Sequence, residues 1–174
     1  STPITADAFP NASMIKWEFP ERNGRHAFNA YWYDGGLLPA RPPELEGDRK
    51  LPISGNLFVG TKGTMLISGD YLESPRIIPE SRMKDVGKPK QLLERSPGQI
   101  QEWVAAGLGE KPLNYSQANF TYAGPMTEVI QLGNVALRVG RKIEWDGANM
   151  RVTNVPEANQ YIKRIPRPGF DFTL

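Results

Sequence analysis

Apolar and polar positions alternate with period two over "ASMIKWEF" (12–19). Ile15, Trp17 and Phe19 fall on one side and Met14, Lys16 and Glu18 on the other, which predicts a half-buried strand. Asn23-Gly24 follows as a hairpin turn signal, and "AFNAYWY" (27–33) reads as the return strand. Residues 34–52 hold too much Gly and Pro for regular structure and read as one long loop. "NLFVG" (56–60) and "TMLIS" (64–68) flank "GTKG" as a second hairpin, and "PRIIPE" (75–80) reads as an edge segment limited by its prolines. Residues 82–95 are polar and are expected to be irregular.

The period then changes. Ser96, Pro97 and Gln99 form a helix-start signature, Ile100, Trp103, Val104 and Leu108 an apolar stripe, and Gly107 and Gly109 a stop. A second helix is expected from about Pro125 to Val139, with Gly140 as its stop. Its apolar residues go almost all the way round, which predicts burial on more than one side. "KIEWD" and "MRVT" flank Asp146-Gly147 as a third hairpin, "PEANQYIKR" (156–164) predicts a short helix, and "IPRPGFDFTL" an extended tail. Strands arriving as hairpins argue for an α+β fold: an open, mainly antiparallel sheet with helices packed on one face.

Composition narrows the class without fixing it. The 174 residues are 39% apolar and 23% charged, the balance of one soluble, folded domain spanning 1–174, expected to bury roughly 70% of its unfolded surface. A net charge of +2 gives no argument for nucleic acid, and the basic residues toward the end (Arg138, Arg141, Lys142, Arg151, Lys163, Arg164, Arg167) are interleaved with acids as a solvated face. With no cysteine, disulfides, zinc-thiolate sites and thiol nucleophiles are excluded. No apolar run approaches the ~18 residues of a membrane span. The compartment stays open between cytoplasm and periplasm. "STPITADAF" reads like the middle of a longer protein, so a fragment or processed product is expected.

Few residues offer chemistry. His26 is the single histidine, beside a turn and without clustered carboxylates, so no metal site is expected around it. "GNLFVGTKG" (55–63) outlines a phosphate loop but has Thr61-Lys62 in the wrong order and a strand where free N–H groups are needed, so a hairpin is the better reading. No G-x-G-x-x-G occurs, which removes the usual dinucleotide cradle. Asn11-Ala12-Ser13, Asn114-Tyr115-Ser116 and Asn119-Phe120-Thr121 match the short glycosylation pattern, which chance often produces. "AYWYDGG" (30–36) carries most: Trp32 and Tyr33 offer flat faces for sugar rings and Asp34 a carboxylate for hydroxyls. The plainer reading makes the aromatics sheet core and Asp-Gly-Gly a turn. Arg41 in the same loop is a candidate partner for an acidic ligand group. A hydrolase on Asp34 and Glu44 finds no paired-carboxylate signal.

Four segments taken together, "YWYDGGLLPARPPEL", "LFVGTKGTMLISGDYLESPRIIPESRM", "RSPGQIQEWVAA" and "NFTYAGPMTEVIQLGNVALRVGRKIEWDGANMRVTNVPEANQYI", resemble in order the C-terminal domain of bacterial Gfo/Idh/MocA oxidoreductases, the family of glucose–fructose oxidoreductase and inositol dehydrogenase. The resemblance covers nearly the whole chain and is most specific in the last segment. It implies a two-domain parent whose N-terminal Rossmann domain, absent here, binds NAD or NADP. This domain would supply the substrate-cleft wall and the sheet face of a homodimer or homotetramer, for a sugar or cyclitol substrate. Glu110-Lys111-Pro112 matches the family's catalytic-lysine triplet, but that triplet belongs to the Rossmann domain, so Lys111 reads as a solvated loop lysine. The family's catalytic Asp/His pair lies before this sequence begins. The resemblance therefore implies no catalytic, cofactor-binding or metal residue in this chain and no activity by the chain alone. Trp32, Tyr33, Asp34 and Arg41 remain as substrate-binding candidates. The alternative is a stand-alone carbohydrate-binding or scaffolding module without catalysis.

Overall fold

A computed structural model describes residues 1–5, 7–163 and 165–170. The fold is α+β, with its strands distributed over three small antiparallel sheets. The chain divides into two compact units, residues 1–32 with 96–174 and residues 33–95.

In the first unit, β1 (Met14–Phe19) and β2 (Phe28–Tyr33, whose last residue opens the second unit) form a two-stranded sheet. Arg22 and Arg25 exchange both backbone hydrogen bonds at 3.0 Å, and Asn23 and Gly24 both take positive φ, 51° and 75°, as a two-residue hairpin turn demands. The Phe19 and Phe28 rings stack at 4.6 Å. The expected alternation holds: Ile15, Trp17 and Phe19 are half-buried and their neighbours exposed. Helix α3 (Phe120–Val139) lies on β1. The contact is close because Gly133 has no side chain: a Cβ there would stand 2.7 Å from Trp17 Cζ2 and 3.2 Å from Ile15 Cδ1. The Trp17 indole N–H donates to the Val129 carbonyl, one turn earlier on the helix, at 2.8 Å.

Helix α3 begins five residues before the expected Pro125. Asn119 caps it, its Oδ1 accepting from Thr121 N–H at 3.0 Å, and Pro125 is carried inside. Gly140 stops it in the left-handed conformation, φ 68°, as expected. Burial on several sides holds only for its second half; Phe120, Tyr122, Met126 and Ile130 are exposed. That second half contributes Val135 to a core with Val152, Val155 and Ala158. The short strands β6 (Trp145–Asp146) and β7 (Arg151–Val152) form the third hairpin, and a 3-10 helix, Pro156–Tyr161, follows. Two asparagine side chains finish this corner. Asn159 accepts from Val152 N–H at 2.8 Å and donates to Val152 O at 3.0 Å, and Asn154 accepts from Glu144 N–H at 2.7 Å and donates to Lys142 O at 3.1 Å. Of the expected extended tail, residues 165–170 contain a turn closed by Phe170 N–H to Arg167 O at 3.0 Å; Arg164 and residues 171–174 lie outside the described residues.

The second unit is built on the sheet β3-β4-β5 (Gly55–Gly60, Gly63–Ser68, Glu73–Ile78). The turn at Thr61-Lys62 confirms the hairpin reading of this glycine-rich stretch, and Arg82 closes it with a 2.9 Å bond to Lys62 O. Central β4 is the most buried strand. Leu66 and Ile78 meet Leu45 from the long loop, flanked by Leu51 and Leu57. A 3-10 turn (Glu80–Arg82) and one helical turn, α1 (Met83–Val86), occupy the start of the stretch expected to be irregular.

Helix α2 (Gln99–Gly107) corrects the sequence reading most. It starts at Gly98, not Ser96, whose hydroxyl instead accepts from Gly98 N–H at 3.0 Å. Its apolar stripe faces outward: Ile100 is 72% and Trp103 73% exposed, and Leu108 just beyond the helix is also exposed, while Glu102 is only 3% exposed. The Glu102 carboxylate accepts from Gln117 N–H at 3.0 Å. Among the described residues no other helix or strand lies against α2. The expected burial fails with it. Two separate compact bodies of the units' sizes would expose about 10,000 Å² together, whereas this 19.4 kDa chain exposes 14,497 Å².

Gly133 supplies a test with a sign. At an open helical site such as Gly107 in α2, which has nothing within 4 Å of an added Cβ, Gly→Ala is expected to stabilise by up to about 1 kcal/mol. Gly133→Ala is expected to destabilise by about 1–2 kcal/mol, because the Trp17 ring must yield. Urea unfolding of both variants measures this, and a stabilised Gly133→Ala would mean that the helix–strand approach is not tight.

Candidate functional site

Three of the sequence candidates are consecutive, where β2 ends and the long loop begins. Trp32, 56% exposed, closes the first unit, and Tyr33 and Asp34, both half-buried, open the second. Beyond them Leu37 N–H bonds to Asp34 O at 3.1 Å, with Gly35 and Gly36 at φ 62° and 86°. Side chains tolerate that pair of angles poorly, so the two glycines are needed for the turn. The turn reading of Asp-Gly-Gly is thus realised, and the half-exposed Trp32 precedes it.

Arg41 does something the sequence reading did not foresee. Its guanidinium donates to the carbonyls of Leu45 at 2.8 Å, Glu46 at 2.5 Å and Pro42 and Arg49 at 3.4 Å. Five N–H donors in a fixed fork suit this task. The loop is wound around its own arginine, and Leu45 is thereby held in the core of the second unit. An acidic ligand would have to take Arg41 away from these carbonyls. Glu46 ties the loop to the 3-10 turn, accepting from Glu80 N–H at 2.6 Å; that bond holds its carboxyl below the ordinary carboxylate range. Arg49 pairs with Glu80 at 2.5 Å.

A concavity missed in the sequence lies in the first unit between β1 and α3. It encloses about 780 Å³, with Ile15, Trp17, Leu132, Gly133, Ile143 and Trp145 among its walls. This is within the range of small-molecule pockets, roughly 300–1,000 Å³. Trp145 is fixed by its indole N–H, which donates to Glu128 at 2.6 Å. Glu18 stands at the mouth between two ammonium groups, Lys142 and Lys16, the latter at 2.6 Å. Hydrogen bonds from Lys142 and then Lys16 pull its carboxyl down to about 2, and the same contact raises Lys16. Gly133 carried the readable signal: an isolated glycine in a helical pattern marks a close approach. The pairing of Glu18 with Lys142, far along the chain, had no local signal.

The remaining candidates stay apart from both places. His26 is exposed beside its turn. Lys111 lies in the loop after α2, where its ammonium sits 5.0 Å from the centre of the Tyr115 ring. Asn119 spends its side-chain amide on Ser116 O at 2.7 Å and Asn114 O at 3.2 Å. Glu102 has its carboxyl held low by the Ser96 hydroxyl, the Gln117 N–H and the Ser116 hydroxyl, and so binds α2 to the loop behind it. No protein-family model matches the chain, and no curated protein does.

Two outcomes follow from the charges. The folded pKa of Glu18 lies below its ordinary 4.5, so its contribution to stability is full above about 4.5 and fades as pH falls toward about 2. Glu18→Gln should therefore be less stable than the parent chain at pH 7, with the gap closing as pH falls through about 2, by chemical unfolding in low salt; a gap independent of pH would place the effect elsewhere. Arg41→Met should loosen residues 41–49 and make them the first site of limited proteolysis, with the β3-β4-β5 sheet intact; cleavage unchanged from the parent would mean that the carbonyl cluster does not hold the loop.

Proposed function

We propose that this chain is the C-terminal, substrate-side part of an NAD(P)-dependent oxidoreductase of the Gfo/Idh/MocA type, acting on a hydroxyl carbon of a sugar or cyclitol. The observation that carries this reading is the unfinished surface. A chain that leaves α2's apolar stripe and the first half of α3 in water, and exposes 14,497 Å², has the character of one part of a larger body. The ordered resemblance of four segments supports this choice of body.

The residues present do not fit a dinucleotide. A pyrophosphate is held where a glycine-rich turn joins a strand directly to a helix N-terminus. Here α2 follows the irregular stretch after α1, and α3 follows its Asn119 cap in a loop. The cofactor would be held by the parent's Rossmann domain, which supplies the hydride chemistry. This chain's part is to present the Trp32 ring to a sugar face, to offer Asp34 to hydroxyls, and to bring copies together through its sheet face. By itself it performs no hydride transfer.

A second reading, a stand-alone carbohydrate-binding or scaffolding module, is favoured by one observation: β2 carries two aromatic side chains that are about half exposed, Tyr31 and Trp32, one on each face of the strand. The two readings separate on the complete gene product. Under the first, that product carries an upstream dinucleotide fingerprint and reduces NAD(P) with sugars or cyclitols, while this chain alone does not. Trp32→Ala in the complete protein should raise KM roughly three- to tenfold, the worth of one ring contact. Turnover by this chain alone, or a product with no fingerprint, would overturn the first reading. Sugar-dependent quenching of tryptophan fluorescence in this chain, lost in Trp32→Ala, would then support the second.

A further inference from the structure

The proposed function leaves the cavity between β1 and α3 unused. None of the sugar candidates Trp32, Tyr33, Asp34 and Arg41 lines it, and it lies wholly within the first unit. Most of its wall offers no hydrogen bond. Ile15, Leu132, Leu137 and Ile143 contribute hydrocarbon. The two tryptophans have spent their side-chain donors, Trp17 on the Val129 carbonyl at 2.8 Å and Trp145 on Glu128 at 2.6 Å. An occupant meets such a wall with an apolar body.

The rim has the opposite chemistry. Residues from both faces of β1 line the cavity, so the strand that gives Ile15 and Trp17 to the wall gives Lys16 and Glu18 to the rim. Lys16 Nζ meets Glu18 Oε1 at 2.6 Å, and Lys142 Nζ meets Glu18 Oε2. One carboxylate thus holds two ammonium groups, one at each oxygen, and each ammonium carries three N–H donors. Two positive charges against one negative leave the triad cationic. Of the other charged residues lining the cavity, Arg141 is answered by Glu157, and the exposed Glu144 forms an ion pair with neither lysine.

We propose that this cavity binds a small amphipathic carboxylate, its apolar body against Trp17 and Trp145 and its head group on Lys16 and Lys142. Glu18 shows how that head group is gripped, because the same two ammonium groups already hold a carboxylate by both oxygens. Glu18 also competes with the ligand for the pair of cations, so it weakens the site that it marks. A neutral ligand gains nothing from the triad, and a cationic one is repelled by it. The site does not rest on the oxidoreductase reading.

Calorimetric titration of the full chain with naphthalene-2-carboxylate, at pH 7 in low salt, tests the proposal, and the neutral naphthalene-2-carboxamide controls for the apolar body. The carboxylate is expected to bind about three- to fivefold more tightly than the amide, the worth of one partly exposed ion pair. Lys16→Gln/Lys142→Gln should remove that preference. Glu18→Gln should enlarge it, because the competing carboxylate is gone while both lysines stay. Ala136→Trp, which adds a ring to the cavity wall from α3, should abolish binding of both compounds. No binding, equal binding of the two compounds, weaker carboxylate binding by Glu18→Gln, or binding untouched by Ala136→Trp would each overturn the proposal. Binding lost in Trp103→Ala would overturn it too, by placing the compound on the exposed stripe of α2. The comparison of carboxylate with amide needs no variant and stands if a substitution disturbs folding.

Discussion

The absence of a side chain at Gly133 is the condition on which the first unit rests. Helix α3 is long enough to serve as a spine, but a helix reaches a two-stranded sheet only where something lets it come near. At Gly133 the Trp17 ring fills the space a methyl group would occupy, and its indole nitrogen finds the Val129 carbonyl on the helix. That single approach sets the depth of the groove beside it, with Ile143 and Trp145 on the far wall. It also fixes which face of α3 remains for Val135 to meet Val152, Val155 and Ala158.

Elsewhere polar side chains do much of what a core does in a more compact protein. Among the described residues each unit has one small hydrophobic cluster, four buried residues in the first and three in the second. Within each unit, backbone is also held by side chains that imitate backbone. Asn159 offers Val152 the donor and acceptor of an absent strand, Asn154 does the same for Glu144 and Lys142, and Arg41 gathers four carbonyls of its own loop. Each satisfies groups that would otherwise face a partly dry environment unpaired, which is the costly case.

This division explains what was legible in the sequence. Period-two alternation and turn chemistry are local, so β1, the Asn23-Gly24 hairpin, the β3-β4 hairpin and the Gly140 stop were all readable. The start of α3 was misplaced because Pro125 is a strong local signal and Asn119 a quieter one. The α2 stripe was legible as apolar, but its outward direction was not: periodicity reports which residues share a face, never which way the face points. Of the site candidates, Trp32 and the Asp34 turn were visible as types, but Arg41's role depends on carbonyls that a loop gathers only when folded. The Glu18–Lys142 contact and the Glu102–Gln117 bond join residues with no shared pattern, and nothing short of the folded chain brings them together.

The Glu102 anchor has a consequence for how the molecule breathes. A helix whose apolar stripe lies in water has little to lose by leaving its place, and α2 is tied mainly through one carboxylate to the loop at Ser116 and Gln117. It therefore belongs to the low end of the free-energy ladder of partial openings, a cooperative unit that can detach and fray while α3 and β1 stay docked. Such a weakly tied segment is the kind that opens before a helix and strand packed against each other.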